Sequence, residues 1–510
     1  MVEQPKLVRH SAVGAKTMLA SAWLVGGFLF RRLAQLIVTV VLARLLVPAD
    51  FGLVAISTTL LLSLMSVTEL SLFNALIHEK DPTREDYDTA FTFSALRGVL
   101  LAAVMAVGGL VMARVYDDDR LFLVTTLLGC KPLLSGLTSP YYINLAKNLS
   151  FGKVTFWESM SAVAQVVSST AVAYFTGSYW AIVAGVLFSS IVGLIASYWC
   201  APYRPRFSIA SWRNLMSFSV WMTLSQVAST VGNRFDNFLG AGILGTALFG
   251  AYNVGGNMAT LVTQSAIQPL ERVLFPSFAS MVDDRPRLQR AFQRTQACLL
   301  AVGLPLGVGL AVVANPFVYL LLGPKWMIAA LVIQFIAPVL ALQIVFGPQS
   351  ALAFSKGETR MLFNRSVAQI AFRIPIVFIG LYYFGFMGLL VSRFISGGIM
   401  VTIVNMYMVR KLIGITVRDQ LLVCWRSLIA SGVMAVVVML ASKAFPPIHN
   451  SLQAAEMLAV LVPLGAAVYC GVQGVLWLLA GKPELGIETE IVKIAEKALG
   501  RFNRQRQPAE

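Results

Sequence analysis

Long, continuous apolar runs recur along almost the whole of this 510-residue chain. A run of more than about 18 apolar residues is long enough to cross a bilayer as an α-helix. Inside hydrocarbon the backbone must satisfy its own hydrogen bonds, which restricts a spanning chain to helices or a closed barrel. The runs, for example Leu421–Leu440, are continuous and do not alternate with polar residues, which excludes a barrel. The sequence therefore predicts an all-α bundle embedded in a membrane.

The composition leaves little of the chain for a soluble domain. Hydrophobic residues make up 57% of the sequence and charged residues 13%, whereas a soluble domain carries about 25% charged residues. The net charge of +16 follows from the uneven distribution of lysine and arginine described below. Nucleic acid is therefore not predicted as a partner.

The apolar runs predict a polytopic membrane protein with about fourteen transmembrane helices. We expect a cytoplasmic N-terminal segment, an N-terminal six-helix bundle, a cytoplasmic linker, a C-terminal six-helix bundle, two additional helices and a basic cytoplasmic tail. In that order, these parts cover residues 1–16, 17–200, 201–213, 214–410, 425–480 and 481–510.

Lysine and arginine are concentrated in every second loop. The basic set includes the linker, the loop from Arg285 to Arg294 and the C-terminal tail. The alternate loops hold only Arg44, Arg114, Arg120, Lys325 and Lys443. Because positively charged loops stay in the cytoplasm, both termini are predicted to be cytoplasmic.

One ten-residue segment occurs twice. Ala43–Gly52 (ARLLVPADFG) resembles Ala241–Gly250 (AGILGTALFG), and each copy lies between two apolar runs. Six spans separate the copies, and because six is even the two halves have the same orientation. Parallel halves related by an axis along the membrane normal are a known transporter architecture. We therefore predict two pseudo-equivalent bundles that rock against one another in alternating access.

Polar side chains recur at helical spacing on the spans that flank these copies. They include Arg32, Gln35 and Thr39 in the first span, Gln226, Ser229, Asn233 and Asn237 in the seventh, and Asn253, Asn257, Thr260, Gln264 and Gln268 in the eighth. One interpretation is that these groups only hold helices together. The length of the stripes favours the other interpretation, a water-filled cavity.

Charged residues also fall inside the apolar runs. An arginine at the centre of a bilayer costs about 2.5–3.5 kcal/mol or more unless it faces a cavity or a partner. Arginines outnumber acids there, so we predict a cationic lumen for an anionic passenger, lined by Arg32, Arg97, Arg373 and Arg393. The full set of candidate substrate-binding residues is Arg31, Arg32, Gln35, Glu69, Arg97, Asn233, Asp236, Asn253, Asn257, Gln264, Arg373 and Arg393.

The residue types that build catalytic and metal sites do not cluster in the sequence. The five cysteines and three histidines are far apart, and no phosphate-binding loop of the P-loop type occurs. We predict neither an enzyme nor a metal site, and no cofactor.

The first copy of the repeat also carries a family resemblance. Leu42–Leu53 (LARLLVPADFGL) closely resembles the first-loop signature of bacterial polysaccharide flippases, and Ala75–Asp81 is similar to the next part of that pattern. Asp236 together with Gly250–Asn253 resembles the signature of the second half. The chain is thus similar to the Wzx-type, exopolysaccharide-exporter branch of the multidrug/oligosaccharidyl-lipid/polysaccharide superfamily.

The resemblance implies a passenger and a location. The passenger is an anionic oligosaccharide linked to undecaprenyl diphosphate, flipped across the bacterial inner membrane for exopolysaccharide, capsule or O-antigen synthesis. Membrane lipids and polysaccharide polymerase and co-polymerase proteins are the implied partners. One alternative is a drug/cation antiporter of the same fold, which would favour acids over arginines in the membrane. The other is a membrane glycan polymerase or ligase, which would carry a large periplasmic loop.

Overall fold

The structure is a computed structural model that describes residues 9–68, 76, 82–147, 150–211, 220–265, 274, 277–481, 483, 486, 488 and 489. Within these residues every regular element is helical and no strand occurs. The predicted all-α fold is confirmed. Most of the Ala75–Asp81 signature and most of the C-terminal tail lie outside the described residues.

Long helices account for most of the described chain. In chain order they are α1 (Arg9–Leu45), α2 (Pro48–Val67), α3 (Arg84–Val115), α4 (Arg120–Leu128), α5 (Cys130–Gly136), α6 (Tyr142–Lys147), α7 (Phe151–Thr176), α8 (Trp180–Cys200), α9 (Val220–Ser265), α10 (Arg285–Val312), α11 (Ala314–Leu321), α12 (Met327–Ile344), α13 (Gly347–Ser355), α14 (Thr359–Arg393), α15 (Val401–Ile413), α16 (Val417–Ser442) and α17 (Ser451–Leu479). A π-helical segment, Phe394–Met400, joins α14 to α15. The basic segment from Arg285 to Arg294, expected to be a loop, forms the first turns of α10.

Two of these helices are interrupted by a glycine with positive φ. Gly245 in α9 has φ 73° and ψ 166°, and Gly385 in α14 has φ 56° and ψ −137°. Only glycine adopts such angles without a steric penalty from Cβ, so each helix divides into two consecutive spans. Both breaks fall where the apolar pattern predicts a connection between neighbouring spans.

Ten helical stretches in the described residues are long and apolar enough to cross a membrane. Two of them, Leu224–Gln264 and Thr359–Ile413, contain the glycine breaks. Outside that set, the stretch from α4 to α5 and helix α7 are two further helical segments. This arrangement is consistent with the fourteen predicted spans.

The chain divides into two compact units, residues 1–253 and 254–510. In unit 1, α7 packs against both α1 and α8, and α3 packs against α4 and α5. In unit 2, α10 packs against α12 and α16, and α16 packs against α17. Small residues at the helix contacts let the backbones approach closely: the α-carbon of Gly185 in α8 lies directly against Ser169 in α7.

The two copies of the sequence repeat contact each other within unit 1. A Cβ added to Gly52 would lie 1.8 Å from the carbonyl oxygen of Thr246, and one added to Gly250 would lie 1.9 Å from that of Pro48. Under the repeat alignment Pro48 corresponds to Thr246 and Gly52 corresponds to Gly250. The contact is therefore reciprocal, as it is at a two-fold axis. This geometry supports the pseudo-symmetry inferred from sequence.

Candidate functional site

A polar cavity of about 730 Å³ lies inside unit 1. Its walls come from α1, α5, α7 and α8, and all four of these helices belong to the N-terminal half of the chain. The polar side chains that line it are Arg31, Gln35, Lys131, Ser135, Thr138, Trp157, Glu158, Ser161, Gln165, Ser189 and Ser190. These side chains offer hydrogen-bonding and charged groups to the interior of the cavity.

Three of the lining residues are charged. Arg31 of α1 forms an ion pair and hydrogen bond with Glu158 of α7, and Lys131 of α5 lines the same cavity. Arg31 lies in the middle of the apolar run from Thr17 to Leu42. Two cations and one carboxylate give the cavity a net positive charge and make it suitable for an anion.

The hydroxyl groups in the cavity wall are held by their own helices. Ser161 donates to the carbonyl of Trp157 at 3.2 Å, and Ser190 donates to that of Val186 at 2.7 Å. The hydroxyl oxygens keep lone pairs that accept hydrogen bonds from a ligand. Trp157 is fixed in turn, because its indole nitrogen donates to the carbonyl of Gly193 at 2.6 Å.

The structure places two of the α1 candidates, Arg31 and Gln35, in this cavity wall. Arg32 is not among the lining residues. Its guanidinium donates to Oε1 of Gln35 at 3.3 Å and lies 5.1 Å from the ring centroid of Phe28. Successive residues of a helix point in different directions, which explains why the adjacent arginines differ in their surroundings.

Arg97 of α3 is bound to the end of α2. Its Nε donates to Oγ1 of Thr68 at 3.0 Å, and a terminal nitrogen donates to the carbonyl of Met65 at 2.5 Å. The last four carbonyls of a helix have no partner within the helix. A cation at this end also interacts favourably with the negative pole of the helix dipole. These contacts favour a role for Arg97 in joining two helices.

We expect Arg97→Gln to lower the stability of the protein by about 1.5–3 kcal/mol, the usual contribution of hydrogen bonds to a charged group. The melting temperature in detergent and the amount of protein in the membrane would both fall. Arg114→Gln, at the exposed end of the same helix, is the matched control and should leave both unchanged. A normal melting temperature for Arg97→Gln would show that the contact with α2 does not stabilise the fold.

The candidates of the seventh and eighth spans lie on α9. Asp236 is fully buried and accepts a hydrogen bond from Oη of Tyr252 at 3.3 Å, so the two parts of the second-half signature meet across the Gly245 break. Asn233 is exposed and donates to Oγ of Ser229 at 3.3 Å, and Asn253 is half-buried.

Part of the polar stripe on α9 joins helices. Gln226 donates to the hydroxyl of Ser66 at 2.9 Å, and Ser66 also shares a hydrogen bond of 2.8 Å with Thr230. Both contacts bind the first half of α9 to the end of α2. These polar side chains therefore link two membrane helices.

Four candidates lie in unit 2, where Asn257 is exposed, Gln264 and Arg393 are half-buried and Arg373 is 6% exposed. Their role in substrate binding stays a prediction. Glu69 lies outside the described residues.

An apolar groove of about 580 Å³ is the second cavity of note, and it lies in unit 2. It is lined by side chains of α9, α10, α11, α16 and α17, among them Leu306, Leu310, Phe317, Val438, Leu461 and Ala466. Such a surface binds a hydrocarbon chain better than a polar group.

Sequence reasoning missed several residues of the polar cavity, above all Glu158 and Gln165. Glu158, Ser161 and Gln165 recur at i, i+3 and i+7 along α7, so the helical spacing of polar residues that marked the other spans is also present here. The pairing of α1 with α7, which brings Glu158 to Arg31, is a tertiary contact that the spacing of residues within each helix does not predict.

Comparison with known proteins finds relatives of this chain. The chain is 26% identical to the lipopolysaccharide biosynthesis protein WzxC of Escherichia coli K12, covering 76% of this chain and 79% of that protein. It is also 26% identical to the succinoglycan biosynthesis transport protein ExoT of Rhizobium meliloti 1021, covering 56% and 58% of the two chains.

Among solved structures, the fold is similar to the lipid II flippase MurJ in an inward closed conformation. The TM-score is 0.66 at 15% sequence identity, covering 90% of this chain and 99% of that chain. Residues 41–331, which is more than half of the chain, match the model of the family described as polysaccharide biosynthesis protein. The chain therefore belongs to this polysaccharide biosynthesis protein family.

Proposed function

We propose that this protein is a flippase for undecaprenyl-diphosphate-linked oligosaccharide repeat units. It moves them from the cytoplasmic to the periplasmic leaflet of the bacterial inner membrane for exopolysaccharide, capsule or O-antigen synthesis. It acts as a transporter and not as an enzyme. Family membership and the names of its relatives, one of them a transport protein and another, by structure, a lipid flippase, support this proposal.

The observation that carries the proposal is the polar cavity of unit 1. Arg31 and Lys131 supply positive charge, while amide and hydroxyl side chains supply hydrogen bonds. A guanidinium binds phosphate through two parallel hydrogen bonds, and hydroxyl and amide groups match the hydroxyls of a sugar. We assign the diphosphate to the two cations and the adjoining sugars to the hydroxyl-lined wall.

The apolar groove of unit 2 is suited to a hydrocarbon chain, and we propose that it binds an isoprenoid or acyl chain. A long isoprenoid is flexible and wholly apolar, so it gains free energy wherever it covers aliphatic side chains. The groove offers such side chains from five helices. The remaining candidates in both units, Arg32, Asn233, Asp236, Asn253, Asn257, Gln264, Arg373 and Arg393, stay proposed contacts for the sugar or diphosphate.

Alternating access follows from the pseudo-symmetry. The reciprocal contact of Gly52 and Gly250 with the opposite copy of the repeat lies at loops predicted to be periplasmic. Two pseudo-equivalent bundles, 17–200 and 214–410, would rock against one another, and separation of the two copies of the repeat would give access to the periplasm. Disulfide cross-linking of the outer ends of the first and seventh spans is expected to block export.

The two alternatives fit the cavity less well. An antiporter for drugs or cations needs acidic groups to attract its substrate, whereas the unit 1 cavity carries two cations and a carboxylate already paired with one of them. A polymerase or ligase needs catalytic groups, and a large periplasmic loop to hold them is missing from the sequence. The proposed protein partners are a polysaccharide polymerase and a co-polymerase that take up the flipped unit.

Deletion of the gene tests the proposed function in the cell. We expect lipid-linked repeat units to accumulate on the cytoplasmic leaflet, where an impermeant lectin reaches them in inside-out vesicles but not in spheroplasts. Expression of the intact protein should restore polymer at the cell surface. If the amount and the sidedness of lipid-linked repeat units are the same with and without the protein, the proposal is wrong.

Cysteine accessibility tests the proposed orientation, with both termini in the cytoplasm. Single cysteines at the exposed positions Asp119 and Lys325 should react with an impermeant thiol reagent in intact cells. Cysteines at the exposed positions Arg287 and Lys411 should react only after the membrane is opened. The native cysteines would be replaced by alanine first. Labelling of the second pair in intact cells would reverse the topology.

A further inference from the structure

The ion pair between Arg31 and Glu158 lies in the wall of the polar cavity and faces its interior. The side chains of Arg31 and Glu158 are 29% and 39% exposed, so the pair is open to whatever fills the cavity. Glu158 is the one acid among the described residues of the wall. The second cation, Lys131, forms no ion pair with any described residue.

Arg31 and Glu158 neutralise each other's charge. An arginine within a membrane span needs an anionic or watery neighbour, and Glu158 provides the anion when the cavity holds no substrate. An ion pair this open to water is weak, so an incoming anion displaces the carboxylate at small cost. A diphosphate is favoured in this exchange, because it carries more than one negative charge and meets Lys131 as well as Arg31.

We propose that Glu158 is an internal competitor of the substrate: it neutralises Arg31 in the empty carrier and is displaced when the diphosphate binds. This inference rests on the proposed function. During transport the carboxylate returns to Arg31 as the diphosphate leaves, which weakens binding and speeds release. Glu158 is thus a positioning residue that acts on the substrate through Arg31 and does not bind the substrate itself.

The inference predicts opposite effects of Glu158→Gln on binding and on transport. The amide keeps the size of the side chain but removes the competing charge. Affinity for a diphosphate should rise about three- to fivefold, which corresponds to the loss of one exposed ion pair. Turnover should fall, because release becomes slower. A purely structural ion pair would give weaker or unchanged binding instead.

The experiment measures binding of farnesyl diphosphate, a short polyprenyl diphosphate, to the purified full-length protein in detergent. Export of repeat units is measured in cells at matched protein levels. Glu158→Asp, whose shorter side chain weakens the pair without removing the charge, should give an intermediate increase in affinity. Glu456→Gln, at the exposed start of α17, is the control and should bind like the original protein. The melting temperature of every variant shows whether it is folded.

Arg31→Gln separates failure of this inference from failure of the proposed function. If Arg31→Gln abolishes binding but neither Glu158→Gln nor Glu158→Asp tightens it, Glu158 is not a competitor and the diphosphate site stands. If Arg31→Gln binds farnesyl diphosphate as well as the original protein does, the diphosphate site in unit 1 is wrong, and the inference is wrong with it. Should Glu158→Gln be unfolded, the affinity of Glu158→Asp decides.

Discussion

Arg31→Gln is expected to reduce export of the polysaccharide at least about tenfold while the protein remains in the membrane at its normal level. A hydrogen bond to a charged group contributes about 1.5–3 kcal/mol, and 1.4 kcal/mol corresponds to a factor of ten in affinity. The guanidinium makes two such bonds to a phosphate group. Lys131→Gln removes the second cation of the cavity, and a similar loss should follow.

Arg31→Lys should keep part of the activity, because an ammonium retains the charge but not the planar fork. Arg114→Gln, at the exposed end of α3, should export normally and is the control for the loss of an arginine as such. Surface polymer and membrane abundance must be measured in the same cultures. Normal export by Arg31→Gln, or export that fails only because the protein disappears, would contradict the cationic site.

Replacement of Gly52 or Gly250 by alanine is expected to have the second large effect. Each added methyl group would lie less than 2 Å from a backbone carbonyl oxygen of the other copy of the repeat. Forcing a methyl group into a packed contact costs about 1–3 kcal/mol, which outweighs the gain of up to about 1 kcal/mol that alanine brings to a helix. We expect a lower melting temperature and export reduced about tenfold or more.

Gly432 of α16 provides the matched control for these two variants. A Cβ added there meets no atom within 4 Å, so Gly432→Ala should melt no lower than the original protein and export normally. The pseudo-symmetry makes a further demand: Gly52→Ala and Gly250→Ala should be impaired to a similar degree. If either one behaves like Gly432→Ala, the close contact of the repeats does not exist in the functioning protein.

The fold could be predicted from the sequence because membrane helices have a strong local signal. Continuous apolar runs identified the spans, and Gly245 breaks α9 inside the second copy of the repeat, where the apolar pattern placed a connection. The reciprocal contact of the two copies was not predictable in detail. Sequence similarity indicated two related halves, but only the structure shows that Gly52 meets the backbone at Thr246.

The site was less predictable, because the direction of a side chain is a tertiary property. Arg31 and Gln35 were chosen as polar positions on an apolar helix, and both lie in the wall of the cavity. Arg97 was chosen on the same grounds, yet its guanidinium reaches the free carbonyls at the end of α2. Glu158 belongs to a polar stripe on α7 with Ser161 and Gln165, but its ion pair with Arg31 depends on how α1 packs against α7 and could not be read from the sequence.

Flipping by the purified protein is the most direct test of the central claim. The protein would be reconstituted into liposomes with lipid-linked repeat units from its own host, and an impermeant glycosidase would be added outside. We predict that the glycosidase digests nearly all of the substrate in these vesicles, but only the outer-leaflet portion in protein-free vesicles. In vesicles with Arg31→Gln, digestion beyond the outer-leaflet portion should be at least about tenfold slower. Digestion that stops at the outer-leaflet portion with the intact, folded protein would contradict the claim that it flips lipid-linked oligosaccharide.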